Sequence, residues 1–430
     1  MQLSHYLKAY SCEERPNYTT LFSTKNASKI LLPKKKLQAI ENGTLSPSDE
    51  ETLTELGMLV PDREEEKQSV LNLIDEVNKK STGLNTVIIL NLDCNFACEY
   101  CFEGDMKGKL YMSDETASCV VDFIKQQFTE DKTSMAVDFY GGEPLLSVPL
   151  IKSISRDLQS FCQERGVSYG STLVTNGSLF TKKVAEDLVP LGLESIKITL
   201  DGPEHIHNRY RPFKTGKGSF ATIIRNIKDT CGIVKVGIGG NFERDNWEKF
   251  VLLLDYMEEE GLTPENIASV KFDPVMNTFQ GEPSPTDYRD GCMSINEPWV
   301  SEASLFLREE IMKRGHNIPN MGPIICAVER KDSYTINYDG MIYKCPAFVG
   351  KKGFVVGDVR RGVEDYTASY RLGIWKNEEC SECVYLPLCF GGCRYAAFIR
   401  QGNIDALDCE KAYLDTSLEA LIKQEIKYGR

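Results

Sequence analysis

No apolar run in the 430-residue sequence approaches the roughly 20 residues of a membrane span. The start, Met1-Gln-Leu-Ser-His-Tyr-Leu-Lys8, lacks the apolar core of a secretory signal, so a cytoplasmic protein without a membrane partner is expected. Positive charge is also in deficit: 50 Lys and Arg face 63 Asp and Glu, a formal net charge of -13. Nucleic-acid binding is dominated by neutralising phosphates, so no nucleic-acid partner is expected. The basic run Lys34-Lys35-Lys36 reads as a solvated helix start. Low-complexity tracts are missing too, and no repeat goes beyond an alternation of strands and helices. With 41% hydrophobic and 26% charged residues the chain has a globular composition. Its length exceeds one ordinary core and suggests two or three domains.

Cysteine is what the chain has in plenty. Fifteen are present, eight of them beyond position 290. In a reducing compartment, clustered cysteines read as metal or cluster ligands before disulfides. The tightest group is Cys94, Cys98 and Cys101 within Asp93-Cys-Asn-Phe-Ala-Cys-Glu-Tyr-Cys-Phe102. Three thiolates at this spacing can bind three irons of a four-iron cube and leave the fourth iron open. The same CxxxCxxC run can supply three ligands of a zinc site, so both metals stay open on the run alone. It follows the β-branched stretch Thr86-Val-Ile-Ile-Leu-Asn-Leu92, which places it at a strand's C-terminal end, where α/β barrels keep their chemistry. A second strand, Ala136–Tyr140, runs into Gly141-Gly142-Glu143-Pro144, by itself only a tight turn.

Together these residues resemble the radical S-adenosylmethionine (radical SAM) enzymes, whose CxxxCxΦC motif is followed by a glycine-rich GGEP loop. The resemblance implies that Cys94, Cys98 and Cys101 hold the catalytic cube, whose open iron binds S-adenosylmethionine. It implies that Glu143 with Gly141 and Gly142 holds the methionine ammonium, and that Tyr100 lies beside the adenine. From Asn85 to about His316 six βα units are expected, with later strands at 171–175, 195–200, 234–238 and 269–273. The implied fold is α/β, a partial (βα)6 barrel over residues 85–318. Strand ends at Thr175-Asn176-Gly177 and Asp201-Gly202-Pro203 make Asn176 and Asp201 candidate cofactor contacts, although Asn-Gly and Asp-Gly are also common turns. Asp201–Arg211 resembles the DGP…H…R stretch of peptide and sulfatase maturases, which makes Arg209, or Arg211, a candidate carboxylate contact. His205 and His207 read as structural or exposed.

Residues 1–84 read as a winged-helix-like unit: strands at 6–10, 19–23 and 29–32, then helices after Pro33 and after the Ser46-Pro47 cap. Such units take an extended leader peptide as an added strand, so a ribosomal precursor peptide is the expected partner. Glu64–Lys80 reads as a charged helix or linker.

In residues 319–430, Cys326, Cys345, Cys380, Cys383, Cys389, Cys393 and Cys409 are spaced like the SPASM extension of radical SAM enzymes, although a zinc ribbon can imitate part of this spacing. By resemblance Cys380, Cys383, Cys389 and Cys409 hold one auxiliary four-iron cluster, and Cys326, Cys345 and Cys393 a second. The second is one ligand short, because Asn320 and Asp332 stand where relatives have a further cysteine; either Cys292 supplies it or an iron stays open. Asp339-Gly340 reads as a hairpin turn. Cys12, Cys119, Cys162 and Cys231 read as free thiols.

The resemblance therefore implies a radical SAM/SPASM peptide maturase with S-adenosylmethionine and three 4Fe-4S clusters, served by an electron donor such as flavodoxin or ferredoxin. The opening residues and the 33–62 region look most like geopeptide maturases. A thioether or other cross-link is the expected product. The rivals are modification of a folded protein partner and a non-catalytic electron-transfer protein. Sulfatase maturases carry an aspartate base where Pro346 stands, which argues against sulfatase activation.

Overall fold

The computed structural model describes residues 1–101, 103–277 and 291–429. Short strand β1 (Gln2–Leu3) leads into β2 (Leu7–Ser11), β3 (Tyr18–Ser23) and β4 (Lys29–Pro33), an antiparallel sheet in the order β2-β3-β4. Pro33 cannot continue the ladder and instead precedes α1 (Lys34–Glu41). Helix α2 (Pro47–Glu55) starts as its sequence signals require: the Ser46 hydroxyl accepts from the Asp49 amide at 3.2 Å, Pro47 occupies the first turn, and Asp49 and Glu50 face the positive end of the helix dipole. Strand β5 (Leu59–Val60) returns to pair with β1. The charged stretch that follows forms α3 (Arg63–Leu71) and α4 (Leu73–Lys80), broken at Asn72.

Six strands then alternate with helices: β6 (Gly83–Ile89), β7 (Ser134–Tyr140), β8 (Ser168–Thr175), β9 (Leu193–Thr199), β10 (Lys235–Phe242) and β11 (Ile267–Pro274). All neighbouring pairs are parallel and lie in sequence order. The intervening helices are α5 (Asp114–Gln127), α6 (Val148–Arg165), α7 (Lys182–Leu188), α8 (Glu204–Tyr210), α9 (Phe220–Thr230) and α10 (Phe250–Glu259), and α11 (Pro298–Lys313) packs on β11. The strands present Met135, Val137 and Phe139 or Ile196 and Ile198 to one packed core, shared with apolar faces of the helices such as Ile223 and Ile227.

One difference from the expected layout concerns the last region. Strand β12 (Ser333–Ile336) pairs in parallel with β6, so the barrel sheet gains a seventh parallel strand from beyond residue 318. Strands β13 (Met341–Tyr343), β14 (Gly357–Asp358) and β15 (Gly362–Val363) continue the same sheet antiparallel. The β12–β13 turn is closed by Asp339, whose carboxylate accepts from the Met341 amide and the Asn337 side chain, both at 3.0 Å. Short helices α12 (Glu378–Ser381) and α13 (Leu386–Cys389) carry Cys380 and Cys389, Cys393 immediately precedes α14 (Arg394–Gln401), and α15 (Lys411–Lys427) packs on α11.

The N-terminal unit docks on this C-terminal region. Tyr6 packs with Trp375, Leu386 and Phe390, and Phe22 with Tyr385, Leu388 and Leu418. At the edges Lys67 pairs with Glu382 and Lys29 with Glu425, each at 2.8 Å.

Candidate active site

Strand β6 ends at Ile89, earlier than its apolar run, because Asn91, Leu92 and Asp93 turn away to pair with other backbone. Gly142 donates its amide to the Asn91 carbonyl at 3.0 Å, and Glu143 donates to that of Asp93 at 2.7 Å. A Cβ on Gly141, which has φ +138°, would lie 2.4 Å from the Asn91 oxygen, and one on Gly142 would lie 2.2 Å from that of Asp93. The two glycines therefore admit the backbone of the cysteine loop itself. The loop is held on its other side by residues just after α8. Ala97 donates to Pro212, Lys214 donates to Asn95, both at 2.9 Å, and the Phe96 ring meets Phe213 edge-on.

Glu143 is fully buried, and burial pushes its carboxyl upward. Its two oxygens accept from the Thr175 hydroxyl at 2.7 Å, the Asn176 amide at 2.9 Å and the Leu145 amide at 3.0 Å. These contacts make the carboxylate join the ends of β7 and β8. Asn176 continues the join, because its side-chain amide donates to Asn95 at 2.8 Å and lies 3.9 Å from the Cys94 sulfur.

Opposite this wall stands a second polar group, at the ends of β9 and β10. The Tyr100 hydroxyl hydrogen-bonds Asp201, accepts from Arg211 at 2.8 Å and from the Asn241 side chain at 3.2 Å. Asp201 also accepts from the Asn241 amide at 2.7 Å, and its own amide donates to His207 Nδ1 at 3.1 Å. An accepting Nδ1 leaves the hydrogen on Nε2, facing Ser219 at 3.0 Å, and Ser219 passes its own hydrogen to the Arg211 carbonyl. Burial holds His207 well below its ordinary range, with Arg211 adding to the effect, so the ring is neutral and structural.

Arg209 requires a correction. It is exposed, with its guanidinium 5.1 Å from the Tyr210 ring centre, because it lies on the outer face of α8. Arg211 has left the helix, and that turn of the chain brings it to Tyr100. Sequence reasoning also missed Asn91, Asn95, Asn241 and Lys107. Asparagines next to a motif carry little signal of their own, whereas the Lys107 position is one turn of loop beyond Cys101.

Burial raises the thiols of Cys94, to about 11, and of Cys98; Lys107 lowers both, and Arg211 lowers Cys98. Farther along, burial pushes Cys345 to about 12, with Cys326 and Cys393 acting on it, while Cys393 in turn feels Cys326. Cys389, also pushed by burial to about 12, feels Cys383 and Cys380, and both of those feel Cys409. The thiols thus neighbour one another in three groups, Cys94 with Cys98, Cys326 with Cys345 and Cys393, and Cys380 with Cys383, Cys389 and Cys409. Thiols buried so deeply become thiolates only beside a positive centre such as a metal. Among the described residues, no three His, Cys, Asp or Glu side chains converge on a single-ion position. A cube is ligated through separate corner irons and does not require that convergence.

Three of the buried donors without a partner among the described residues lie near these cysteines: Nε of Arg211, a residue that acts on Cys98; Nε of Arg394, a residue that acts on Cys326; and the hydroxyl of Tyr6, which feels Cys383. Sulfur-rich clusters accept hydrogen bonds of this kind. Cys292, one of the two alternatives for completing the second auxiliary set, packs its sulfur 3.2 Å from that of Met276, and the charged groups acting on it are Glu297 and Asp408 rather than Cys326, Cys345 or Cys393.

Residues 88–257 match the radical SAM superfamily. That segment is a radical SAM domain. It is 23% identical over 356 residues to the serine-type anaerobic sulfatase-maturating enzyme of Bacteroides thetaiotaomicron, covering 72% of this chain and 82% of that one. It is 22% identical to the cysteine-type enzyme of Clostridium novyi, covering 76% and 93%. Among solved structures, native anSMEcpe with bound AdoMet and a Cp18Cys peptide superposes with a TM-score of 0.62 at 18% identity, covering 80% of this chain and 97% of that one. Streptococcus suis SuiB bound to precursor peptide SuiA gives a TM-score of 0.54 at 16% identity, covering 95% and 98%. The fold is that of the radical SAM α/β proteins, with the parallel sheet described above. No helix among the described residues is long and apolar enough to cross a membrane.

Proposed function

We propose that this radical SAM enzyme matures a ribosomally made precursor peptide, recruited through residues 1–84, and installs a thioether or another cross-link. The supporting observation is that Cys94, Cys98 and Cys101 are walled by two polar groups that a bound nucleotide-like ligand would need. One wall is the Gly141–Glu143 loop with Asn176; the other is Tyr100 with Asp201, Arg211 and Asn241. With a four-iron cluster on the three thiolates and S-adenosylmethionine bound, the site would supply reductive cleavage to a 5′-deoxyadenosyl radical. The chain's own part is to orient and to exclude water: the fully buried Glu143 fixes the strand ends, and Arg211 keeps a cation beside Cys98 and Tyr100.

On the proposed reading, Cys326, Cys345 and Cys393 hold one auxiliary cluster, Cys380, Cys383, Cys389 and Cys409 the other, and a small reductase protein feeds electrons in. Peptide rather than folded-protein modification is favoured by two features. Pro346 opens a short turn where sulfatase maturases carry an aspartate, and a separate β-sheet unit precedes the barrel. The test is anaerobic reconstitution with reductant and S-adenosylmethionine, followed by mass spectrometry of nucleoside and of candidate precursor peptides. The expected result is 5′-deoxyadenosine with a peptide lighter by two hydrogens per cross-link. Nucleoside formation without change in any cysteine-bearing peptide would remove the cross-linking part.

A further inference from the structure

Tyr6 lies in the N-terminal unit, more than 370 residues before the cysteines it meets. The side chain is fully buried, and its ring shares a packed group with Trp375, Leu386 and Phe390, against which Cys380 also packs. The Tyr6 backbone and the nearby carboxylate are satisfied. The Tyr6 amide donates to Ser4 at 3.0 Å, its carbonyl accepts from Thr24, and the nearby Glu66 carboxylate is taken by Ser4, the His5 amide and Lys25. The Tyr6 hydroxyl has no partner among the described residues. Neither has Trp375 Nε1, a group that can only donate, in the same fully buried group. Two dry donors side by side cost about 1–3 kcal/mol each if nothing accepts from them, and a folded core does not normally keep such a pair. Two carboxylates act on this hydroxyl more strongly than any thiol, but Glu66 is paired with Lys25 and Glu382 with Lys67; the remaining acceptors are sulfurs, since Cys383 also acts on the hydroxyl and Cys380 packs against the same group.

We propose that the Tyr6 hydroxyl donates a hydrogen bond to sulfur of the auxiliary cluster formed on Cys380, Cys383, Cys389 and Cys409, so that the docked N-terminal unit helps set that cluster's reduction potential. The inference rests on the auxiliary-cluster reading above. A hydrogen bond to sulfur stabilises the more negative, reduced form, and its loss moves the potential down. Trp375 supplies a second donor from the C-terminal side. The unit that is proposed to recruit peptide thereby also touches the redox centre, and any shift of that unit on binding is transmitted through Tyr6.

The experiment is an EPR-monitored redox titration of the full-length, reconstituted protein, with the auxiliary signals identified as those that survive Cys98→Ala. Tyr6→Phe keeps the ring and its packing. One auxiliary midpoint is expected to move to more negative potential while the other stays in place as an internal reference, with iron and sulfide per chain unchanged. Phe22→Leu loosens the neighbouring contact with Tyr385 and Leu388 without removing a donor, and is expected to leave both midpoints where they are. Unmoved midpoints in Tyr6→Phe, or an equal shift in Phe22→Leu, would overturn the role of Tyr6 while leaving the clusters intact. If Cys383→Ala fails to lower the iron content by about four per chain, the cluster reading itself fails and the inference falls with it.

Discussion

Arg211 donates from Nη1 to the Tyr100 hydroxyl at 2.8 Å, so the aromatic residue of the cysteine motif is tied to a guanidinium that lies 111 residues later. Tyr100→Phe would leave Arg211 and Asp201 facing each other without the shared hydroxyl. Loss of one partner in such a buried, charge-assisted group costs about 1–3 kcal/mol. The expected outcome is a lowered urea midpoint and slower 5′-deoxyadenosine formation with iron content unchanged. Full activity in Tyr100→Phe would mean that only the ring matters.

Gly142→Ala tests the backbone contact. The new Cβ would meet the carbonyl oxygen of Asp93, which is backbone and cannot move aside as a side chain can. The cysteine loop must then shift, and loss of the iron bound by Cys94, Cys98 and Cys101 is expected, about four per chain. Gly232, which has open space around it, gives the matched control, and Gly232→Ala should retain full iron.

Much of this was readable from the chain itself, for a local reason. Apolar and β-branched runs such as 136–140 and 171–175 encode their strands through nearest neighbours, and Ser46-Pro47 encodes a helix start in two residues. What escaped depends on distance in sequence. Nothing near Arg209 and Arg211 says which one leaves the helix and reaches Tyr100. The pairing of β12 with β6 joins residues about 250 positions apart, and neither strand's pattern names its partner. Glu143 stands out in the sequence because its motif is short and charged. Its three protein donors come from residues whose convergence only the folded strand ends reveal.

Glu143→Gln separates two tasks of one carboxylate. An amide in place of one oxygen turns a donor toward the Asn176 amide or the Thr175 hydroxyl, and a destabilisation of about 1–3 kcal/mol is expected in urea unfolding. If the carboxylate acted on the cofactor alone, stability would be unchanged and only the affinity for S-adenosylmethionine would fall. Unfolding and equilibrium binding, measured on the same preparation, distinguish the two.

His207 makes stability depend on pH. Its folded pKa lies well below the ordinary value, so the unfolded chain binds a proton first as pH falls through about 6.5. Protons then favour the unfolded state, and stability is lost toward acid by up to about 1.4 kcal/mol per pH unit. His207→Gln keeps an acceptor for the Asp201 amide and a donor for Ser219 but does not titrate. Its urea midpoint should fall less steeply than that of the parent between about pH 6.5 and 5. Equal slopes would assign the acid sensitivity to other groups.

Removing residues 1–84 is the obvious way to ask whether the N-terminal unit binds peptide, but the packing predicts a second consequence. Tyr6 and Phe22 cover Trp375, Phe390, Tyr385 and Leu388, and the truncated chain would bare these to water. At about 1.5–3 kcal/mol for each large side chain uncovered, the loss is comparable to the whole stability of an ordinary domain. The expected outcome is a chain that binds a hydrophobic dye, tends to aggregate and loses iron from Cys380, Cys383, Cys389 and Cys409, because Cys380 and Cys383 pack against the same surface. Iron content is therefore the measurement to make before peptide affinity. If the truncated protein keeps its iron and stays monomeric, the docking is dispensable and a fall in peptide binding reports recognition. If the iron goes, weaker binding reports a damaged C-terminal region, and recognition must be tested with substitutions that leave Tyr6 and Phe22 in place.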